Sequence, residues 1–252
     1  MGKIKVSENE RYYRITLADP PLNVLDIEMM EELQEALQDV NSDRSVLVID
    51  AEGDKVFSAG ASVHDHMPDR VEQMLHVFHA CCRRVHRIGM ITVAYVQAPA
   101  LGGGCELALS CDFVLAAEKA KFGQPEIQLG VYPPVGVHQM SRQIPPRIGL
   151  EMLITGDPIG ARRAYELGMV NAVFPDEGFQ EHCDEWLERI LRHSSSSLWF
   201  AKRAYRLASI DDLDKRLAQT ERYYLEELMK TEDALEGLKA FMEKRKPEWK
   251  GK

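Results

Sequence analysis

The sequence predicts an α/β fold followed by a helical C-terminal region, and three observations predict it. Short apolar runs of strand type recur at 45–51, Ile91–Val96 and 112–116, with helix-period segments between them. Such spacing implies crossover connections, and so mixed or parallel sheets. After Pro175 the strand-type runs stop, and helix-period segments follow one another. Three consecutive glycines, Gly102, Gly103 and Gly104, stand at a strand-to-helix junction, where backbone can approach a ligand closely.

The elements follow in order. Residues 4–6 and 12–17 alternate polar and apolar positions, as a strand hairpin does. Pro20 and Pro21 end it, because proline cannot continue a ladder. Asp26 is a candidate N-cap for a helix over 27–40, with Met30, Leu33, Leu37 and Val40 on one face. The continuous apolar run 45–51 suits a strand buried on both sides. Residues 56–61 read as a short strand ending in small residues, and 62–70 as a polar segment with His64 and His66. The next helix spans 71–87; its His76, His79 and His86 read as packing or surface residues. Ile91–Val96 is a strand, 106–111 an apolar segment that can be helical, and 112–116 and 120–122 are extended. The stretch 131–146, with Tyr132, Pro133, Pro134 and Val135, reads as a stiffened wall. Helices are expected at 147–155 and 160–167, a strand at 170–174, and helices at 179–192, 197–209, 211–230 and 233–244. Residues 194–197, all serine, read equally as a linker or a helix start. The division this implies is a core, 1–192, and a helical region, 193–252.

Composition narrows the function. A chain of 252 residues can bury a full core. A net charge of −9 disfavours wholesale nucleic-acid binding. Five cysteines without C-x-x-C spacing suit reduced thiols in a cytoplasmic protein better than a disulfide framework. No apolar stretch approaches a membrane span, and the N-terminus lacks a signal-peptide pattern. A metal at His64-x-His66 lacks an obvious third ligand, so no metal is expected.

The chemistry gathers at the glycines. Backbone N–H groups at the start of a helix can hold an oxygen that gains negative charge. Glu106 lies in the first helical turn and Glu126 twenty residues on, after Gly123-Gln124-Pro125. An N–H trap between two carboxylates suggests acid–base work beside a polarised carbonyl. The bland alternatives are a carboxylate favoured at a helix N-terminus for Glu106 and a surface turn for Glu126. Which carboxylate is acid and which is base stays open.

These residues resemble the enoyl-CoA hydratase/isomerase (crotonase) superfamily. The matching pieces are G-G-G-C-E-L at 102–107, F-G-Q-P-E-I at 122–127 and K-V-F-S-A-G-A at 55–61. G-D-P-I-G-A-R-R-A-Y-E-L-G-M-V-N at 156–171 and F-M-E-K-R at 241–245 follow in the same order. The resemblance implies a spiral of ββα units with a C-terminal helical region that makes a trimer or a dimer of trimers. It implies an acyl-CoA substrate, with coenzyme A as part of the substrate and no separate cofactor. Glu106 and Glu126 become the catalytic pair, and the N–H groups of Ala61 and Gly103 the oxyanion hole. For Ala61 the other reading is a tight turn that needs small residues. Leu22, Lys55, Ala59, Phe241 and Lys250 become coenzyme A contacts; Lys55 and Lys250 also suit phosphate on charge alone. Ser62 and His64 in a mobile flap, with Tyr132, Pro133, Pro134 and Val135, become the acyl pocket. Many members carry a glycine-rich I-P-G-x-G-G-T where this chain has Tyr132-Pro133-Pro134-Val135, and an aspartate is common where Ser62 stands. The flap, the segment M-L-H-V-F-H and the Pro-Pro wall look more like hydratases of cyclohexa-1,5-diene-1-carbonyl-CoA, in anaerobic aromatic degradation, than straight-chain 2-enoyl-CoA hydratases or isomerases. A non-catalytic scaffold or RNA-binding homologue is the reading of another class; both glutamates and the acidic charge oppose it. Trp199, Phe200, Leu217, Tyr224, Leu228 and Phe241 look unpartnered within the chain and point to assembly.

Overall fold

The structure, a computed structural model, describes residues 2–40, 44–208 and 213–250. Strands β1 (Ile4–Glu8) and β2 (Tyr12–Leu17) form the expected antiparallel hairpin. Helix α1 (Ile27–Asp39) starts at Asp26, whose carboxylate accepts the Met29 N–H, so the cap satisfies an otherwise orphaned donor. Strand β3 (Val46–Ala51) is buried along almost its whole length, as the continuous apolar run requires. Helix α2 (Val71–Arg87) and strand β4 (Ile91–Val96) follow. Then come β5 (Ala100–Leu101), α3 (Gly103–Leu109), β6 (Phe113–Ala117) and β7 (Lys121–Gly123). Helices α4 (Pro134–Gln143) and α5 (Pro146–Thr155) precede β8 (Ile159–Gly160), α6 (Ala161–Glu166) and β9 (Ala172–Phe174). Helices α7 (Phe179–Leu191), α8 (Ser195–Ala208), α9 (Leu213–Glu226) and α10 (Glu232–Met242) complete the chain.

Among the described residues the larger sheet runs β1-β2-β3-β4-β6-β9, parallel from β2 onward, and the smaller runs β5-β7-β8. Successive turns of chain each give one strand to the larger sheet and one segment to the smaller. β3 is followed by Ser58, which bridges to Ala100; β4 is followed by β5; β6 is followed by β7. This is the ββα spiral, and its turns stack three backbone segments side by side: 58–61, 100–103 and 122–126.

Three expectations change, and one left open, at the serine run, is decided. The strand at 56–61 is reduced to two single bridges, Ser58 to Ala100 and Leu25 to Ala61, because Gly60 turns the chain at φ +95°. The wall at 131–146 is largely α4. Pro133 stands at the N-cap and Pro134 at the first helical position, where the N–H that proline lacks is not needed. The serine run begins α8. The boundary at residue 193 divides the sequence but not the core, since Leu217, Tyr224 and Ala234 belong to the same buried cluster as α1 and α2. Of the six apolar side chains read as unpartnered, Leu217 and Tyr224 are thus buried by their own chain, while Phe200 and Phe241 are exposed. The expected helix starts and ends at 209 and 211 lie outside the described residues.

Helix α8 is held by charge as well as packing. Lys202, almost fully buried, donates to the Met90 carbonyl and to Asp112, which also accepts from Thr92 and Arg206. The five cysteines are all free and buried. Among the described residues no helix is long and apolar enough to cross a membrane, and no group of three His, Cys, Asp or Glu side chains is placed to hold a metal ion.

Candidate active site

The site begins with a buried asparagine. Asn23 is fully buried at φ +45°, and its amide donates to the carbonyls of Glu52 and Phe57. Its own carbonyl accepts the Ser58 hydroxyl, whose oxygen accepts the Gly60 N–H. These bonds fix the backbone of 57–60. In the bridge to Leu25, the Gly60 carbonyl and the Ser62 N–H are used. In a parallel ladder that leaves the intervening N–H, that of Ala61, facing the other way. On that side stands Gly103: a Cβ on Gly103 would lie 3.2 Å from the Ala61 nitrogen. Gly103 is the first residue of α3, so its N–H has no acceptor within the helix.

The glycines around this pair are steric requirements. A Cβ on Gly60 would meet the Leu101 carbonyl oxygen at 2.8 Å and the Gly103 nitrogen at 3.1 Å. One on Gly102, at φ +51°, would meet a Glu126 carboxylate oxygen at 2.7 Å. Gly104 packs against Ser58, with 2.7 Å from a built Cβ to the Ser58 Cβ. Gly104→Ala is therefore expected to cost about 1–3 kcal/mol of stability, the usual penalty of overpacking, measurable by urea denaturation.

The carboxylates are both buried. Glu106 comes from α3, and one of its oxygens accepts the Gly136 N–H at 2.6 Å. The Val135 N–H also stabilises its ionised form. The two donors are the second and third residues of α4, presented by the Pro133-Pro134 start. Gln139 ties α4 back to the Glu106 carbonyl and the Ser110 hydroxyl. Burial pushes the Glu106 carboxyl up to about 7, with the two N–H groups opposing. Glu126 sits in a short 3-10 turn, Pro125–Leu129, and its Oε2 has no hydrogen-bond partner among the described residues. Burial, then the charge of Glu106, raises its pKa well above the usual carboxylate range. Two buried carboxylates this close to one cavity cannot both ionise readily, and the donors on Glu106 favour the charge there.

A family model described as enoyl-CoA hydratase/isomerase matches residues 7–252. The chain belongs to that family. It is 37% identical to the cyclohexa-1,5-dienecarbonyl-CoA hydratase of Thauera aromatica, over 99% of this chain and 97% of that one. It is 34% identical to the 2,3-dehydroadipyl-CoA hydratase of Escherichia coli strain K12, over the whole of both chains. Among solved structures, the carnitinyl-CoA hydratase of Mycobacterium avium superposes with a TM-score of 0.88 at 33% identity, again over the whole of both. The crotonase fold and the hydratase class, a carbon–oxygen lyase, follow from these matches, and the scaffold reading is set aside.

In this enoyl-CoA hydratase/isomerase chain the glutamates and the Ala61–Gly103 pair share one cavity of about 340 Å³. Ala59 and Phe241, expected at coenzyme A, and Tyr132, Pro133 and Pro134, expected at the acyl group, also line it. Phe241 does so within its own chain. Val135 does not; it is buried behind α3, beside a smaller cavity. Leu22 and Lys55 lie outside the lining and are exposed, although the Ala59 N–H donates to the Leu22 carbonyl. Lys250 lies outside the lining, and its ammonium meets Glu232 at the surface. Ser62 and His64 are also outside, His64 on the surface.

The histidine that reaches the cavity is His66. The expected flap is a 3-10 turn, Val63–His66, tied to α1 because buried Asp65 accepts the Ile27 N–H and pairs with Arg70. That turn sends His66 inward, its Nδ1 bonded to the Ser62 carbonyl, and burial lowers its pKa. Sequence reading also missed Phe78 and Tyr224 as lining residues. Phe78 was legible as apolar helix face, but nothing local separates a core position from a cavity wall. Tyr224 comes from the region read as an appendage.

Proposed function

We propose that this chain adds water to an α,β-unsaturated acyl-CoA thioester, and that the acyl group is a cyclic conjugated diene, cyclohexa-1,5-diene-1-carbonyl. The observation that carries the reaction is the pairing of Ala61 and Gly103 N–H groups with two buried carboxylates in one cavity. The thioester oxygen accepts both N–H bonds, which stabilise the enolate as it forms, by roughly 2.7–4 kcal/mol per donor in comparable sites. Glu106, the carboxylate with backbone donors, takes a proton from water, and the oxygen bonds to the β-carbon. Glu126, which keeps its proton longer, delivers it to carbon. A proton passing from Glu106 back to Glu126 restores the starting state.

The ring assignment is supported by the walls. Tyr132, Phe78, Tyr224 and the Pro133-Pro134 corner put flat apolar surface around the acyl end. The Thauera relative carries the same substrate in its name. The proposal includes assembly as a trimer or a dimer of trimers, supported by the exposed Phe200 and Tyr205 of α8. Incubation with crotonyl-CoA, followed by loss of the enoyl-thioester absorbance, and with the cyclic dienoyl-CoA, followed by loss of the more extended dienoyl absorbance, tests it. Hydration of neither would remove the reading.

The pH dependence follows from the pair. Burial raises Glu106 to about 7, so below that pH it holds a proton and cannot act as base. The value of kcat/KM should therefore rise as pH increases through about 7. It should fall again at higher pH, where Glu126 loses the proton it must deliver. A profile flat from pH 5 to 8 would contradict this assignment of roles.

A further inference from the structure

Tyr224 is the unexplained polar group of this cavity. It is 1% exposed and lies in the wall beside both glutamates. Its hydroxyl has no hydrogen-bond partner among the described residues. A phenylalanine would fill the same space without burying a donor. Its neighbour Tyr132, stacked edge-on at 5.3 Å between ring centroids, differs: that hydroxyl donates to the Thr220 carbonyl. Thr220 and Tyr224 are four residues apart on α9 and so share a face. One tyrosine is therefore committed to the helix, and the other is held in reserve.

The second unpartnered atom in the same wall is Glu126 Oε2. A protonated carboxyl tolerates that isolation better than a carboxylate does. In the proposed reaction Glu126 gives its proton to carbon and is left ionised in a buried place. We propose that Tyr224 is a positioning residue for Glu126: its hydroxyl donates to the Glu126 carboxylate once that carboxylate has lost its proton. This rests on the hydratase reading above. The charged and titratable groups around the pair are consistent with it. Glu106 from α3 and Tyr132 flank both, and Cys105 feels the Glu126 charge. Of these, Glu106 holds the water proton only until it returns it to Glu126, the Tyr132 hydroxyl is engaged, and burial keeps the Cys105 thiol protonated but weakly donating. Burial, and then the charge of Glu126, raise the Tyr224 pKa, so the hydroxyl keeps its proton through the working range.

Tyr224→Phe tests this in the full-length protein. Hydration kcat should fall about tenfold or more. The inhibition constant of saturated cyclohexane-1-carbonyl-CoA, which cannot be hydrated, should stay within about twofold. The alkaline limb of the pH profile should move upward by about one unit, because ionised Glu126 has lost its donor. The melting temperature should not fall, since the hydroxyl bonds nothing among the described residues. A variant with wild-type kcat and an unmoved alkaline limb would overturn the proposal. So would a fall in kcat matched by a similar loss of inhibitor affinity or by a lower melting temperature, which marks a packing role. If the wild-type protein hydrates neither thioester, the hydratase reading falls and this proposal with it, an outcome visible before the variant is made.

Discussion

Glu106→Gln and Glu126→Gln should each lower kcat for hydration by on the order of 10²–10⁴-fold, the range of a lost general acid or base, while the thioester still binds. Glutamine keeps the size and one acceptor oxygen. At position 106 that oxygen can still take the Gly136 N–H, now at 2.6 Å from the carboxylate, so the fold around α3 and α4 should survive. What is lost is the capacity to exchange a proton. The two N–H groups at Ala61 and Gly103 are untouched and should hold the carbonyl as before. Stopped-flow or steady-state absorbance gives the rate, and competition by a saturated acyl-CoA gives the binding. Near wild-type turnover in either variant would remove that residue from the mechanism.

The same variant carries a stability signature of known sign. Burial raises the folded-state pKa of Glu106 to about 7, from an unfolded value of about 4.3. Between those values the folded state binds more protons, so the wild type loses stability as pH rises through the window. Above pH 7 the buried charge is a standing cost, and Glu106→Gln removes it. The variant should melt at or above the wild type at pH 8, with the advantage fading toward pH 4. Functional carboxylates held in dry surroundings commonly oppose stability in this way.

The parts of this fold that sequence revealed are those decided locally. β3 is a run of apolar residues with both faces buried, α1 has a capping aspartate, and the C-terminal helices have regular periodicity. The glycine triplet was legible because close approach demands it: Gly102 and Gly104 each have a side chain where a Cβ would stand. What local pattern could not show is how the spiral stacks its turns. Residues 56–61 looked like a strand, yet their value lies in not being one, since the turn at Gly60 aims the Ala61 N–H at Gly103. Pro133 and Pro134 looked like a rigid wall, yet they start α4 and so present two N–H groups to Glu106. The exchange of His64 for His66 is a matter of two residues in a 3-10 turn, finer than polar or apolar patterning resolves. Tyr224 reaches the cavity only because α9 folds back against α4, a long-range packing that no window on the sequence contains.

Selectivity is the other large expected effect. We expect kcat/KM for cyclohexa-1,5-diene-1-carbonyl-CoA to exceed that for crotonyl-CoA by tenfold or more, since a single methylene of poor fit is worth about 10–200-fold and a ring differs by several. The proposed catalytic pair and N–H pair give no reason for such a preference, because they would serve any unsaturated thioester. The reason lies in what surrounds them. Pro134 is fixed as the first residue of α4, and α4 is clamped to α3 through Gln139, so this side of the cavity cannot open for an extended chain without disturbing Glu106 itself. Tyr132 and Tyr224 also line the cavity, the first tied to the Thr220 carbonyl and the second buried. A space with rigid walls holds a ring in few orientations and a flexible chain in many, so the ring loses less freedom on reaching the reactive geometry. In the cyclic diene the enolate charge extends beyond the α-carbon. Water can then add at the β-carbon while the proton from Glu126 goes to the far end of the conjugated system. This needs the ring held with one carboxyl near each end, a demand on the walls more than on the catalytic groups. Pro134→Gly should loosen the start of α4 and narrow the preference by raising crotonyl-CoA turnover relative to the ring. A wild-type preference for crotonyl-CoA, or for longer straight chains, would refute the cyclic assignment and leave the hydratase chemistry of Glu106 and Glu126 in place.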